Sequence, residues 1–129
     1  MILVDTQTVI WLAAEPEKVS RTAADAIEGA RKVDGIAISD KTLWELAMAH
    51  SKKRIESTVS LREFLEEIER TFNVLPINAA IAERSVQFGK SFPADPSDSI
   101  IAATAIVYEL SLVTSDALIR KSGEVDCIW

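Results

Sequence analysis

Five short apolar runs rich in branched residues recur along the chain, at positions 2–4, 36–38, 74–77, 112–114 and 125–128. Runs of this length, bounded by polar residues, read as buried or half-buried strands. Between them the apolar positions shift to a period near 3.6. Leu43, Leu46, Ala47 and His50 follow the i, i+3, i+4, i+7 rule, as do Leu61, Phe64, Leu65 and Ile68. Ala23, Ile27 and Ala30 mark another helical face, and Ile81, Ser85 and Phe88, flanked by Ala82 and Val86, a weaker one. The stretch 100–107 is apolar nearly all round, which predicts a helix covered on most sides. This alternation predicts a three-layer α/β/α fold, with a mostly parallel five-stranded sheet between helices. Two helical segments separate the second and third strands, so that crossover is long. Pro76 inside the third run marks that strand as an edge. No repeat, low-complexity tract or linker breaks residues 1–129, and one domain is expected.

Composition narrows the setting. The 129 residues are 48% hydrophobic and 26% charged, the balance of a globular protein that can bury a core without staples. The single cysteine, Cys127, allows no intrachain disulfide and suits a reducing compartment. Asp5 follows Met-Ile-Leu-Val with no basic region before it, unlike a secretion signal. No segment approaches the ~20 apolar residues that span a bilayer. A cytoplasmic location without membrane attachment is the expectation. The net charge of −6 argues against holding nucleic acid by broad electrostatic attraction. It leaves room for an enzyme acting on nucleic acid, provided a local basic patch or bound cations offset the acids.

In open α/β sheets ligands bind outside the carboxyl ends of the strands, at the point where strand order reverses. Asp5 ends the first strand and Asp116 follows the fourth. Asp98 lies near the start of the apolar helix that leads into the fourth strand, and Glu45 about one and a half turns into the helix after the second. Each has an ordinary structural reading. Asp95 reads as an N-cap with Pro96 at the first helical position, and Asp98 then suits the helix dipole. Glu45 can pair with Lys41 four residues away, and Asp116 can cap a short helix. Asp5 is hardest to dismiss, because an acid directly after a buried strand is costly to desolvate unless something pairs with it. Four carboxylates converging on one sheet edge would repel one another, raise some of their pKa values and need a cation. With no cysteine or histidine cluster, the all-oxygen set selects Mg²⁺ or Mn²⁺. Such a site activates water and clamps the oxygens of a phosphoryl displacement. Asp116 is expected to be the cleaner electrostatic probe, since Asp98 sits near a helix N-terminus.

These segments resemble the PIN-domain ribonucleases, in particular the VapC-like toxins. The resemblance rests on Ile2-Leu3-Val4-Asp5-Thr6, on Ile38-Ser39 with Leu43-Trp44-Glu45-Leu46, on the block from Asp95 to Ala105, on Leu112-Val113-Thr114-Ser115-Asp116, and on Ile128-Trp129. The Asp95–Ala105 block is the most specific of these. The resemblance implies strand order 3-2-1-4-5 and assigns Asp5, Glu45, Asp98 and Asp116 to an acidic quartet that holds the metal and carries catalysis. It makes Asp95 a secondary acid, and places Thr6, Thr114 and Ser115 among the groups that orient the site. It further implies an RNA substrate (transfer, ribosomal or messenger), a cognate antitoxin whose tail covers the site, and a homodimer. The chain departs from the family pattern at Gln7, at Ser99 and at Ser51-Lys52-Lys53-Arg54, places that bear on substrate contacts.

Lys52, Lys53 and Arg54 form the densest basic cluster and read either as phosphate-positioning groups or as a solvated helix end. Arg120 and Lys121 are weaker candidates. His50 continues an apolar helix face and reads as a packed histidine. Trp11, Trp44 and Trp129 read as core or interface aromatics, with the 9–12 segment a candidate wall for a partner. Cys127 reads as a small buried hydrophobe. Two other functions remain open: a non-catalytic PIN scaffold that binds RNA or protein, and a haloacid-dehalogenase-type phosphohydrolase. The latter needs a second acid where Gln7 stands.

Overall fold

All five apolar runs become strands of one sheet in the computed structural model, which describes residues 1–129. They are β1 (Ile2–Val4), β2 (Ile36–Ser39), β3 (Asn73–Leu75), β4 (Leu112–Val113) and β5 (Cys127–Ile128). The order is β3-β2-β1-β4-β5 and every pairing is parallel. Parallel neighbours require each connection to leave the carboxyl edge and cross back to the amino edge of the sheet, and helices make those crossovers. Helices α1 (Thr6–Ala14) and α2 (Arg21–Val33), joined by a 3₁₀ turn at Pro16–Lys18, link β1 to β2. The expected long crossover holds α3 (Asp40–Ser51) and α4 (Leu61–Thr71); α5 (Ala79–Ser85) and α6 (Pro96–Val107) lead to β4, and α7 (Ala117–Ser122) to β5. None of these helices is long and apolar enough to cross a membrane.

The strands are continuously apolar because the sheet is covered on both faces. Val4, Ile36, Ile38 and Val113 point to one side, where they pack with Val9 of α1, Ile27 of α2, Leu46 of α3 and Ile68 of α4. Their pleat neighbours Leu3, Ala37 and Leu112 point to the other, against Ile101, Ala102 and Ala105 of α6 and Ile119 of α7. Two cores on one sheet give the three layers. The run 100–107 is apolar all round because α6 also packs against α3 and α5. Pro76 lies just past the end of β3 instead of inside it, so it stops an edge strand whose pairing ends at Leu75.

Each of the seven α-helices starts on a polar residue whose side chain accepts a first-turn backbone N–H. The caps are Asp5, Ser20, Ser39, Ser60, Asn78, Asp95 and Asp116. Each is worth about 1 kcal/mol, and Asp5, Ser39 and Asp116 each place a helix start directly after a strand.

The turn from α2 into β2 depends on Gly35. Its φ of +92° lies where side chains are strained, and a Cβ there would meet the Asn73 side chain at 2.9 Å. Its N–H closes the helix on the Ala30 carbonyl at 2.8 Å. Gly35→Ala is expected to lower stability by about 1–2 kcal/mol. Urea unfolding checks this, and an unchanged midpoint would show that the turn relaxes without strain.

Candidate active site

Because β1 and β4 are neighbours, the residues that leave them share one edge of the sheet. Asp5 continues the ladder through its N–H to the Val113 carbonyl at 3.1 Å. Its Oδ1 then accepts the Thr8 N–H at 2.9 Å, which starts α1. Asp116 does the same for α7, its Oδ1 accepting the Ile119 N–H at 3.0 Å. Thr114, fully buried, accepts the Asp116 N–H at 3.1 Å and so fixes the turn after β4.

Glu45 reaches the same place from α3. Its Oε1 accepts the Thr6 hydroxyl at 2.7 Å, and Thr6 Oγ1 lies 3.0 Å from the buried Thr42 hydroxyl. Thr6 has one proton, which goes to the carboxylate, so Thr42 donates to Thr6. The Lys41–Glu45 ion pair, the ordinary structural reading of Glu45, does not form; the Lys41 ammonium lies over the Trp44 ring, 4.1 Å from its centroid. Asp98 arrives on the first turn of α6. Capping there falls to Asp95, whose Oδ1 accepts the Ser97 and Asp98 N–H groups at 2.8 and 3.3 Å, with Pro96 at the first position. That leaves the Asp98 carboxyl unused by its helix.

Asp5, Glu45, Asp98 and Asp116 together line a cleft of about 910 Å³, with Thr6, Gln7 and Ser115 beside them. None of the four takes part in an ion pair with a basic side chain. Their charges are felt mutually. Burial, then the charges of Asp95, Asp116, Asp5 and Glu45, push the Asp98 carboxyl up to about 6. Burial also raises Asp5, and the Asp116 charge adds to the rise, while hydrogen bonds from Thr114 and Thr8 oppose it. As the side chains stand, no three of them close on a common point as a ready-made cation cage. The donor set, carboxylate oxygens with hydroxyls close by and no nitrogen or sulfur ligand, still matches a hard divalent cation.

The basic cluster divides. Lys52 and Arg54 line the acidic cleft, whereas Lys53, in a left-handed conformation at φ 57°, turns to a separate hollow beside His50 and Leu61. Lys18, on the 3₁₀ turn, is a third cation of the cleft that the sequence pattern did not single out. Arg120 and Lys121 face another hollow near Cys127, lined also by Glu124 and Asp126 and by none of the four cleft acids. The His50 ring packs on Phe64 at 5.1 Å, outside the cleft. Burial pushes the half-buried Cys127 thiol up, which suits an inert side chain.

Comparison with known proteins decides the family: residues 2–124 match the PIN domain. The chain belongs to the PIN-domain family. It is 33% identical over 120 residues to the ribonuclease VapC22 of Mycobacterium tuberculosis, covering 93% of this chain and 90% of that protein. Among solved structures, a toxin–antitoxin complex from Klebsiella pneumoniae aligns with a TM-score of 0.67 at 29% identity, over 90% of this chain and 87% of that one. VapBC2 of Rickettsia felis shares the fold at 19% identity with a TM-score of 0.75, over 98% and 97% of the two chains. The PIN fold and its strand order, expected from the quoted motifs, are therefore the fold and order of this chain.

Within this PIN domain the electrostatic strain is marked on Asp98, while Asp116 serves α7 as its cap, so Asp98 replaces Asp116 as the informative position for substitution. Its native pKa near 6 exceeds the ordinary 3.8, so the native state holds a proton that the unfolded chain has lost between those values. Stability thus falls as pH rises from about 4 to about 6, and the penalty is complete at pH 7. The full difference corresponds to roughly 3 kcal/mol, of which solvent screening around a half-exposed group leaves about 1–2. Asp98→Asn in EDTA should be more stable than wild type by that amount at pH 7 and equal to it at pH 3.5. A pH-independent difference in thermal unfolding would contradict the mutual repulsion.

Proposed function

We propose that this PIN domain is a Mg²⁺- or Mn²⁺-dependent endoribonuclease that hydrolyses RNA phosphodiester bonds as the toxin of a toxin–antitoxin pair. The observation that carries the reading is the convergence of Asp5, Glu45, Asp98 and Asp116 on one cleft, none of them paired with a basic side chain. The ribonuclease name of the Mycobacterium tuberculosis relative and the toxin–antitoxin assembly of the Klebsiella pneumoniae structure support it. The haloacid-dehalogenase alternative falls away with membership of the PIN family, and Gln7 brings an amide to the cleft where that chemistry needs an acid.

The cation, held by carboxylates of the quartet, would activate a water and neutralise charge on the phosphate oxygens. The chain's own part is orientation. Thr6 fixes the Glu45 carboxylate, and the two caps hold Asp5 and Asp116 with one oxygen committed to the helix. Thr114 sets the last aspartate in the turn after β4, and Ser115 lines the cleft beside it. Asp95 keeps the start of α6, and hence Asp98, in place. Lys52 and Arg54 supply positive charge for the RNA backbone, the local patch that a chain of net charge −6 requires, while the Lys18 ammonium is engaged by Glu15 at 3.2 Å. Such an enzyme acts in the cytoplasm and needs a cognate antitoxin. Ile10 and Trp11 line the cleft and offer the partner wall, whereas Val9 is buried in the core and drops out of that surface. A homodimer completes the reading.

Purified protein should cleave labelled RNA with Mg²⁺ or Mn²⁺ and lose activity in excess EDTA. Asp5→Asn should reduce cleavage at least about a hundredfold, as removal of a group central to the chemistry does, with native circular dichroism. Cleavage that survives both changes would refute the proposed chemistry. Expression alone should arrest growth, and co-expression with the adjacent gene should restore it; harmless expression of an active enzyme would contradict the toxin role.

A further inference from the structure

The cleft that holds the acids is also lined by groups of a different character. Trp44, on α3 immediately before Glu45, lines the cleft with 54% of its surface exposed. The other two tryptophans are braced: Trp11 and Trp129 pack on each other at 5.9 Å and against the core. No aromatic ring stacks on Trp44, and the Lys41 ammonium stands over its ring, 4.1 Å from the centroid. Lys52, Arg54 and Lys18 open into the same cleft.

A half-exposed indole with a cation over its ring is the chemistry of a single-stranded nucleic-acid platform. Bases stack on the ring while phosphates pair with the charges, whatever the sequence. A base inside a duplex has both faces occupied by its neighbours, so only an unpaired base has a face to offer. We infer that Trp44 receives an unpaired base of the substrate next to the reacting phosphate, with Lys41, Lys52 and Arg54 on the flanking backbone. Trp44 thereby selects single-stranded over paired RNA. This inference rests on the ribonuclease reading and adds a specificity-determining side chain to it. The charge beside Trp44 favours a polyanion over an apolar peptide, for which Ile10 and Trp11 are the better seat.

The test uses full-length Asp5→Asn protein with Mg²⁺, so that RNA binds without being cut. The probes are a mixed-sequence single strand of roughly ten nucleotides and the same strand annealed to its complement. Adding Trp44→Leu should weaken single-strand binding roughly tenfold and remove most of the quenching of tryptophan fluorescence. Duplex binding should stay unchanged. Trp44→Phe should restore most of the affinity, which a merely apolar or structural role would not require. Trp44→Leu in the active enzyme should lower kcat/KM on the single strand by a similar factor. Equal affinity in the Leu variant, or an equal loss on both probes, would overturn the inference. So would normal RNA binding by a Leu variant that the antitoxin no longer restrains, which would make Trp44 a protein contact. Failure of the wild type to cleave any RNA would refute the nuclease reading alone if Trp44-dependent single-strand binding persisted.

Discussion

Mutual repulsion among carboxylates crowded at one end of a buried sheet is the constraint that organises this molecule. Asp5 sits where desolvation and the Asp116 charge both oppose ionisation, and Asp98 feels four other acids. The fold meets that load with helix starts. A wholly parallel sheet sends its connections back from the same edge, so α1, α6 and α7 begin at the cleft with their partially positive ends there. Asp5, Asp95 and Asp116 each commit an oxygen to a helix cap. One acid thus serves the end of a strand, the start of a helix and the charge of the cleft.

Rigidity behind the cleft comes from covering the sheet on both sides. Val4 and Leu3, adjacent in β1, belong to different cores, so neither face of the central strand can shift without disturbing a packed layer. Glu45 depends on that rigidity indirectly. It lies on α3, and the Thr42–Thr6–Glu45 chain of hydrogen bonds ties α3 to the first residue of α1.

The elements were legible because both apolar periods are clean; β3 is an edge as expected, although Pro76 lies just past the strand and not inside it. The four acids were legible because Asp5 and Asp116 follow strands while Glu45 and Asp98 stand in helix motifs that begin at the same sheet edge. What stayed hidden depends on contacts between distant segments. Lys41 next to Trp44 reads as a partner for Glu45, yet the glutamate is held by Thr6 across the fold. Three consecutive basic residues read as one cluster, but the left-handed turn at Lys53 sends it away from its neighbours. Lys18 carried no signal of its own, since its place is set by the 3₁₀ turn after α1. Ser20, Ser39, Ser60 and Asn78 were legible as caps in principle, being short polar residues ahead of helical runs.

The pairing of β1 with β4 also sets the order in which the molecule can come into being. Leu3 and Val4 find their partners in Leu112 and Val113, more than a hundred positions later. During synthesis the first strand therefore emerges long before the strand that completes its surroundings, and Asp5 waits for Asp116. A partly translated chain holds the residues of the β1–β2 pair and of the helices around it, but not those of the full acidic cleft. Assembly of the cleft therefore waits on the β1–β4 pairing, and a chain cut before β4 lacks both Asp116 and the sheet edge beside Asp5.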